Sequence, residues 1–564
     1  MVERAIKMEG SVSGAISLCK SRLFFALAFF AVSYLIVAVR IFELTTISEE
    51  NIQDITIPQM SEHKTKRTNI VDRNGVLLST NLKTISIYAN PQKIINHEEA
   101  AKHLINLFPT LSEEKLLAEL HSDKNFVWVK RNLSPREFEA VIDVGIPGVY
   151  PREEEKRVYP HENLVSHILG FVGLDGNGLS GVEKFYNKKL IADSEKENPL
   201  KLSIDVRVQD IMHKELSANM RRFNAIGAAG IIMDANNGEI ISMVSLPDFD
   251  PNKPDLVKKD HTFNRGTLGV YEMGSIFKAF TIAGAMDEKA ISFADMFDAT
   301  KPIRIGKHTI SDYHAKNKWL SVPEVFMHSS NIGMAKIALE WGESKQKKFL
   351  EKLNLLEEMK LEIGEKGKPI YPSKWSKASA MTISFGHGMA VTPMHVVAAM
   401  AAMVNGGDYY FPTFIKSEEK AEGKKVISKK TSDKMRKLLR LVVAHGTGSF
   451  AEAKGYLVGG KTGTAEKLVD GKYDSKSRMS SFMAAFPMHE PKYVILVMLD
   501  EPKGDKESFG YATGGYTAAP VVSRVVSKIG PMLGIAPTSD EDPKIIEALE
   551  IKGFSEEKKE VAAN

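Results

Sequence analysis

Seven Ser-x-x-Lys tetrads occur in the chain, starting at Ser17, Ser61, Ser112, Ser275, Ser344, Ser417 and Ser555. Six lie in polar, charged or membrane-proximal stretches. The tetrad Ser275-Ile276-Phe277-Lys278 instead opens an apolar run, Ala279-Phe280-Thr281-Ile282-Ala283-Gly284-Ala285-Met286. If that run is helical, Ser275 starts it and Lys278 follows one turn later on the same face. The serine hydroxyl then has an amine within reach and unpaired backbone N–H groups beside it. These are a nucleophile, a base and part of an oxyanion site.

Two later motifs complete the chemistry: Ser329-Ser330-Asn331, and Lys461-Thr462-Gly463-Thr464 after Gly459-Gly460. Lys278 can act as a base only if its pKa falls from about 10.4. Burial and a second cation, Lys461, would lower it. Ser329 can relay the proton towards a leaving amine. Asn331 can hold both Lys278 and a substrate amide. Lys461–Thr464 reads as part of an edge strand, where Gly463 would leave room for a substrate backbone and the hydroxyls of Thr462 and Thr464 would bind a carboxylate. The backbone N–H groups of Ser275 and Thr464 are the expected oxyanion donors. Taken singly, Ser275 reads equally well as a plain helix cap and Lys461 as a surface lysine; the ordered set of three separates them from chance. One rival pattern overlaps it. Gly455-Tyr456-Leu457-Val458-Gly459-Gly460-Lys461-Thr462 fits G-x-x-x-x-G-K-[ST] in full. A phosphate loop needs a helix starting at the lysine. Here an apolar strand falls inside the supposed loop, and an Asp470-Gly471 turn and another strand come after it, so nucleotide binding is set aside.

The elements that must carry these residues are read from periodicity. Val206 to Phe223 reads as an amphipathic helix. Ile226–Met233, Asn236-Asn237-Gly238 and Glu239–Leu246 read as a β-hairpin. Leu457–Lys467 and Met479–Pro487 make a second hairpin, Tyr493–Leu499 a further strand, and Ala518–Met532 a closing helix. Helices flanking an antiparallel sheet, with a helical insertion between, imply an α+β layered domain. Upstream, Arg67–Leu78 reads as strand, Asn-Gly turn and strand, and Thr84–Ala89 as another strand. Residues 97–121 and 135–143 read as helical, and 157–183 as a turn-rich block. That upstream region holds no nucleophile–base grouping, which leaves spacing and partner contact as its expected roles.

With 564 residues, the chain is long enough for about two domains plus extensions. A net charge of +4 gives no reason to expect nucleic acid as a partner. The single cysteine, Cys19, excludes an internal disulfide and a cysteine-cluster metal site. No His-Glu-x-x-His pattern appears, so zinc-hydrolase chemistry is not expected, and no metal ligands are assigned. Leu23–Val39 carries no charge and is bounded by Arg22 and Arg40. It is just long enough to span a bilayer, and no small-residue cleavage site comes after it, which points to an uncleaved anchor. Arg4, Lys7, Lys20 and Arg22 precede it, whereas Glu43, Glu49, Glu50 and Asp54 lie beyond it. The positive-inside rule places 1–22 in the cytoplasm and the body outside.

The three motifs and their surroundings resemble those of class B penicillin-binding proteins, the monofunctional peptidoglycan transpeptidases. The resemblance runs from the anchor to about residue 530. Arg67-x-x-Ile70-x-Asp72-Arg73-Asn74-Gly75, Arg157-x-Tyr159-Pro160 and Gly178-x-x-Gly181-x-Glu183 look like the family's pedestal signatures. Gly386-His387-Gly388, Thr392-Pro393 and Thr513-Gly514-Gly515 with Ala518-Ala519-Pro520 resemble its transpeptidase domain. Asp312-Tyr313-His314-Ala315-Lys316, Val322-Pro323-Glu324-Val325 and Gly459 to Lys467 look most like the septal, division-specific type of alphaproteobacteria. Met273 stands where many relatives have proline and Ile276 where they often have threonine; neither change removes a reacting group.

Together with the resemblance, these readings imply a cytoplasmic tail (1–22), a transmembrane anchor (23–42), a connector (43–66), a pedestal domain (67–200) and a transpeptidase domain (201–536); the last stretch (537–564) is dominated by Lys, Glu and Asp and reads as a disordered tail. The resemblance implies that Ser275 attacks the penultimate D-Ala carbonyl of a stem peptide, expels D-Ala, and is released by an amine of a neighbouring stem peptide. β-Lactam antibiotics would acylate the same serine. No cofactor and no glycosyltransferase activity are expected. Implied partners are a membrane glycan polymerase and other divisome proteins at the septum of the inner membrane, with the catalytic body periplasmic. Three alternatives compete. An elongation-specific relative would share the chemistry. A β-lactamase would need a deacylating water, but the E-x-x-L-N pattern is absent. A non-catalytic penicillin sensor or scaffold would not need the intact reacting set.

Overall fold

A computed structural model describes residues 20–41, 66–194, 198–306, 308–469, 472–551 and 554. It divides into two units, residues 1–63 and 64–564. In the first, helix α1 (Lys20–Ile41) has 22 residues, and its most apolar 18-residue stretch has a mean hydropathy of 2.3, long and apolar enough to cross a membrane. It runs past both ends of the uncharged stretch, because Lys20, Arg22 and Arg40 are good helix formers that continue the backbone ladder. The expected tail before residue 20, and the connector up to residue 65, lie outside the described residues.

The second unit begins with β1 (Ile70–Val71), which turns through Asn74-Gly75 into β2 (Leu77–Ala89). Gly75 takes φ +87, a left-handed value that suits glycine at this turn. β2 is one strand of 13 residues, not the two expected. It pairs antiparallel with β3 (Val127–Leu133) and, along ten positions, with β4 (Val149–Val158). β4 was not expected: its charged run from Arg152 to Arg157 hides any apolar alternation, and pairing with β2 decides its conformation. The helix expected over 97–121 is two helices, α2 (His97–Leu107) and α3 (Glu113–Leu120). Pro109 ends the first, and the Ser112 side chain caps the second. Helix α4 (Pro135–Val144) carries a Ser134/Glu137 capping box. Short helices α5 (Ser166–Leu169), α6 (Gly181–Phe185) and α7 (Asn187–Ala192) come next, and β5 (Leu200–Lys201) pairs parallel with β1.

The three upstream signatures converge on one buried ion cluster. Arg67 donates from Nε to Glu183 Oε2 at 2.9 Å, and Arg157 donates from Nε to Glu183 Oε1 at 2.7 Å. Ser79 donates to the same carboxylate. The Glu183 side chain is fully buried. Glu183→Ala would leave two buried guanidinium groups without a counter-charge, and breaking such a cluster typically costs about 3–5 kcal/mol. A matching fall in urea midpoint is expected; an unchanged midpoint would reject the cluster as a folding determinant.

The β1–β2 turn also ties this region to helix α8 (Val206–Arg222). Asp72 accepts from the N–H of Val206, and Asn74 donates to Asp205. Asp205 in turn caps α8. Beyond it lie the hairpin β6 (Gly227–Asp234) and β7 (Ile240–Leu246), then helix α9 (Phe277–Asp287). An insertion carries the ribbons β8 (Met296–Asp298) with β11 (Trp319–Ser321) and β9 (Ile303–Ile305) with β10 (His308–Ile310). It continues with helices α10 (Val322–Met327), α11 (Asn331–Trp341), α12 (Glu343–Lys352), α13 (Lys377–Ile383) and α14 (Pro393–Val404), the ribbon β12 (Asp408–Tyr409) with β13 (Lys424–Lys425), and helix α15 (Lys429–His445). The chain closes with β14 (Gly459–Val469), β15 (Lys472–Phe486), β16 (Tyr493–Asp500), and helices α16 (Gly514–Thr517), α17 (Ala519–Met532) and α18 (Pro543–Leu549).

The main sheet is antiparallel throughout, in the order β14-β15-β16-β6-β7. β16 shows how it divides the core. Ile495, Val497 and Leu499 pack with α8 and α17 on one face; Val494, Leu496 and Met498 pack with α9, α14 and α15 on the other. Alternate side chains of a strand point to opposite faces, so both faces of this strand must be apolar. The α+β reading holds. The tail reading is corrected at α18. Asp542 caps it, Pro543 opens it, and Ile545 and Leu549 lie one turn apart and buried. Lys437 of α15 holds its last carbonyls. Local capping and one apolar pair outweigh the charged composition that suggested disorder.

Candidate active site

Ser275 sits in a single 3₁₀ turn, Gly274–Ile276, that runs into α9. Lys278 is in the first turn of α9 and fully buried. Lys461, on β14, is also fully buried. Ser329 joins the two: its Oγ lies 3.0 Å from Lys278 Nζ and 3.0 Å from Lys461 Nζ. Lys278 also donates to the Ser329 carbonyl and, at 2.8 Å, to Asn331 Oδ1. Its three acceptors are therefore Ser329 twice and Asn331. Among the described residues, no hydrogen bond joins Lys278 to Ser275, so the expected direct nucleophile–base contact is not made in this state.

The two amines are tuned by where the fold puts them. Burial pushes Lys461 down to about 7. Burial lowers Lys278 well below the ordinary lysine range, Lys461 lowers it further, and Asp312 opposes the shift. Two buried cations sharing one hydroxyl cannot both stay charged cheaply. Unfolding would return Lys461 from about 7 to its ordinary 10.5. The unfolded chain therefore binds more protons between those values, and this group's contribution to stability rises with pH there. Lys461→Met is expected to resist urea better than the parent at pH 7, with the gap closing towards pH 10.5. A variant less stable at neutral pH would contradict the buried-cation cost.

Ser329 has φ +58, a left-handed conformation costly for serine. The surrounding caps hold it. Ser330, the N-cap of α11, accepts from the N–H of Gly333 at 3.0 Å and donates to Asp312 Oδ2 at 2.7 Å. Asp312 also accepts from the backbone N–H groups of Asn331 and Ile332. A carboxylate at a helix N-terminus satisfies orphan donors and complements the dipole. Asp312 thus positions the Ser329–Asn331 turn, a role that no local sequence rule assigns to it.

β14 is an edge strand, as expected, and its lysine lies in extended backbone, so it is not the start of a phosphate-loop helix. Thr462 Oγ1 lies 3.3 Å from Lys461 Nζ and 3.0 Å from Thr447 Oγ1, a partner the motifs did not reveal. Thr464 Oγ1 accepts from Gly514 at 3.3 Å. The reading of Gly463 is corrected. A Cβ there would meet Ser481 Oγ at 2.4 Å and the Met273 carbonyl at 2.8 Å, so its bare Cα lets β14 seat against the Ser275 turn instead of leaving space for substrate. Gly386 does the same from the other side, since its Cβ would lie 2.0 Å from the Gly274 carbonyl. All eight expected site residues therefore gather where α9, the α10–α11 junction and β14 meet. The Asp470-Gly471 turn lies outside the described residues.

The family model for the penicillin-binding protein transpeptidase domain matches residues 228–527, more than half of the chain, and the one for the penicillin-binding protein dimerisation domain matches residues 62–201. The chain belongs to the class B penicillin-binding proteins. It is 38% identical over 481 residues to a probable peptidoglycan D,D-transpeptidase FtsI of Caulobacter vibrioides, covering 83% of this chain and 82% of that protein. It is 26% identical over 537 residues to the peptidoglycan D,D-transpeptidase FtsI of Escherichia coli, covering 89% of each. The crystal structure of a peptidoglycan synthetase from Bifidobacterium adolescentis superposes with a TM-score of 0.66 at 21% identity, covering 84% of this chain and 96% of that one, which supports the fold. The septal-type resemblance read from the motifs agrees with these FtsI relatives. This penicillin-binding protein carries its Ser275, Ser329 and Lys461 motifs inside the matched transpeptidase region.

Proposed function

We infer that this penicillin-binding protein is a peptidoglycan D,D-transpeptidase that forms peptide crosslinks at the division septum through an acyl-serine. The observation that carries this is the Lys278–Ser329–Lys461 bridge beside the Ser275 turn, with both amines lowered. Neutral Lys278 takes the Ser275 proton as Oγ attacks the penultimate D-Ala carbonyl. Its hydrogen bond to Oγ forms in the substrate complex, as catalytic contacts often tighten there. Ser329 passes the proton to the departing D-Ala amine. Asn331 binds the substrate amide, and Lys461 with the Thr462 and Thr464 hydroxyls binds the terminal carboxylate. The N–H groups of Ser275 and Thr464 receive the oxyanion. A β-lactam enters the same first step and stalls.

The proposed organisation is an α1 anchor with residues 1–22 cytoplasmic, a pedestal over 67–200 and a periplasmic transpeptidase domain over 201–536. Charge asymmetry around α1 supports that orientation. A membrane glycan polymerase and other division proteins are the proposed partners. Mass spectrometry after penicillin treatment tests the chemistry: a stable adduct on the peptide holding Ser275 is expected, and rapid turnover of the drug would favour a hydrolase. Depletion in cells tests the role. Filaments are expected; round cells with normal septa would favour an elongation role and leave the chemistry standing.

A further inference from the structure

A second group of polar residues borders the catalytic turn and takes no part in acylation. Glu272 lies three residues before Ser275. Its Oε1 accepts from the Gly388 N–H at 2.9 Å and from the Tyr473 hydroxyl at 3.0 Å; among the described residues, Oε2 has only the longer Tyr473 contact at 3.3 Å. Among the described residues, no cationic side chain forms a salt bridge with it. Its carboxylate is held in place without being neutralised, which leaves Oε2 able to accept from a donor.

The neighbours strengthen the negative character of this mouth. Burial raises the Tyr473 phenol pKa, Glu272 raises it further through its charge and hydrogen bond, and the Glu466 charge adds to the shift, so the phenol stays neutral. Glu466 is only two residues beyond Thr464 on β14. His387 packs against the Tyr473 ring at 5.8 Å. Burial lowers the His387 pKa while Glu272 raises it and Lys278 lowers it, so the ring adds no lasting positive charge near neutral pH. The Gly386 backbone lies directly on Gly274, which places this loop against the nucleophile turn. The site therefore has two ends of opposite chemistry: buried lysines suited to a donor carboxylate, and partly exposed carboxylates with a phenol.

We propose that Glu272, with Glu466 and Tyr473 beside it, is the recognition site for the acceptor in crosslinking, a primary ammonium group on a second peptide. This rests on the transpeptidase reading above. An amine of that kind has a pKa near 10 and arrives as a cation. A carboxylate pair at the mouth attracts it and holds it next to the acyl-serine. When it attacks, the C–N bond forms, the ester C–Oγ bond breaks, one proton goes to Ser275 Oγ and one to solvent.

The test uses the full chain in detergent, a peptide thioester donor, and a peptide acceptor with a side-chain amine. Glu272→Gln keeps an oxygen acceptor for Gly388 and Tyr473 and removes the charge. It is expected to leave labelled-penicillin acylation within about twofold and to raise the acceptor KM about 10–100-fold, the range for a hydrogen bond to a charged group. Glu466→Gln is expected to shift the same KM less. The trimethylated acceptor, which cannot react, should inhibit aminolysis by the parent and lose potency against Glu272→Gln. An unchanged acceptor KM overturns the proposal. So does a parallel fall in acylation and aminolysis, which would make Glu272 a latch for the Gly388 loop. A parent that is never acylated overturns the transpeptidase reading itself, together with this site.

Discussion

Ser275→Ala is expected to abolish covalent labelling by penicillin and all crosslinking while the protein stays folded. Ser275 is only partly buried, and its side chain makes no hydrogen bond among the described residues. Removing its hydroxyl therefore leaves no polar group stranded, and the turn around it is held by Gly274, Gly386 and β14. The neighbouring serines cannot substitute. Ser329 Oγ already bridges Lys278 and Lys461, and Ser330 Oγ caps α11 against Asp312. An unchanged urea midpoint with zero adduct by mass spectrometry is the expected pair of readings. An adduct mapped to any other residue would sink the assignment of the nucleophile.

Lys278→Arg should slow acylation by about 10²–10⁴-fold, the range that a general base typically supplies. Arginine keeps the charge and cannot become neutral in a protein. Lys278 has the opposite tendency, since burial, with Lys461 beside it, drives it towards the neutral amine. The guanidinium is also too large for a fully buried slot whose acceptors are a carbonyl, a hydroxyl and an amide oxygen. Acylation in the parent should rise with pH as Lys278 loses its proton, and the arginine variant should lose that limb of the profile. Near-native acylation at every pH would leave Lys278 with a structural role alone.

Much of this protein could be read along the chain. The tetrad at Ser275 stood out because an apolar helix comes directly after it, and α9 is buried almost throughout. The strands β6, β7, β14 and β16 and the helix α8 follow from local periodicity, which acts over a few positions. Tertiary structure decided the rest. β4 exists because β2 pairs with it, although its own charged sequence does not ask for a strand. The Arg67–Glu183 contact spans 116 residues, and Asp312 reaches the α11 N-terminus from 18–20 residues upstream. Gly463 serves close packing because Ser481 and Met273 occupy the space beside it. Sequence by itself determined which groups were present and in what order: a serine, two lysines, a relay serine and an amide. Only the fold decided that both lysines would be stripped of water around one hydroxyl. A pKa depends on the dielectric and charge that surround a group in three dimensions, and those neighbours come from segments up to 183 residues apart, the separation of Lys278 and Lys461.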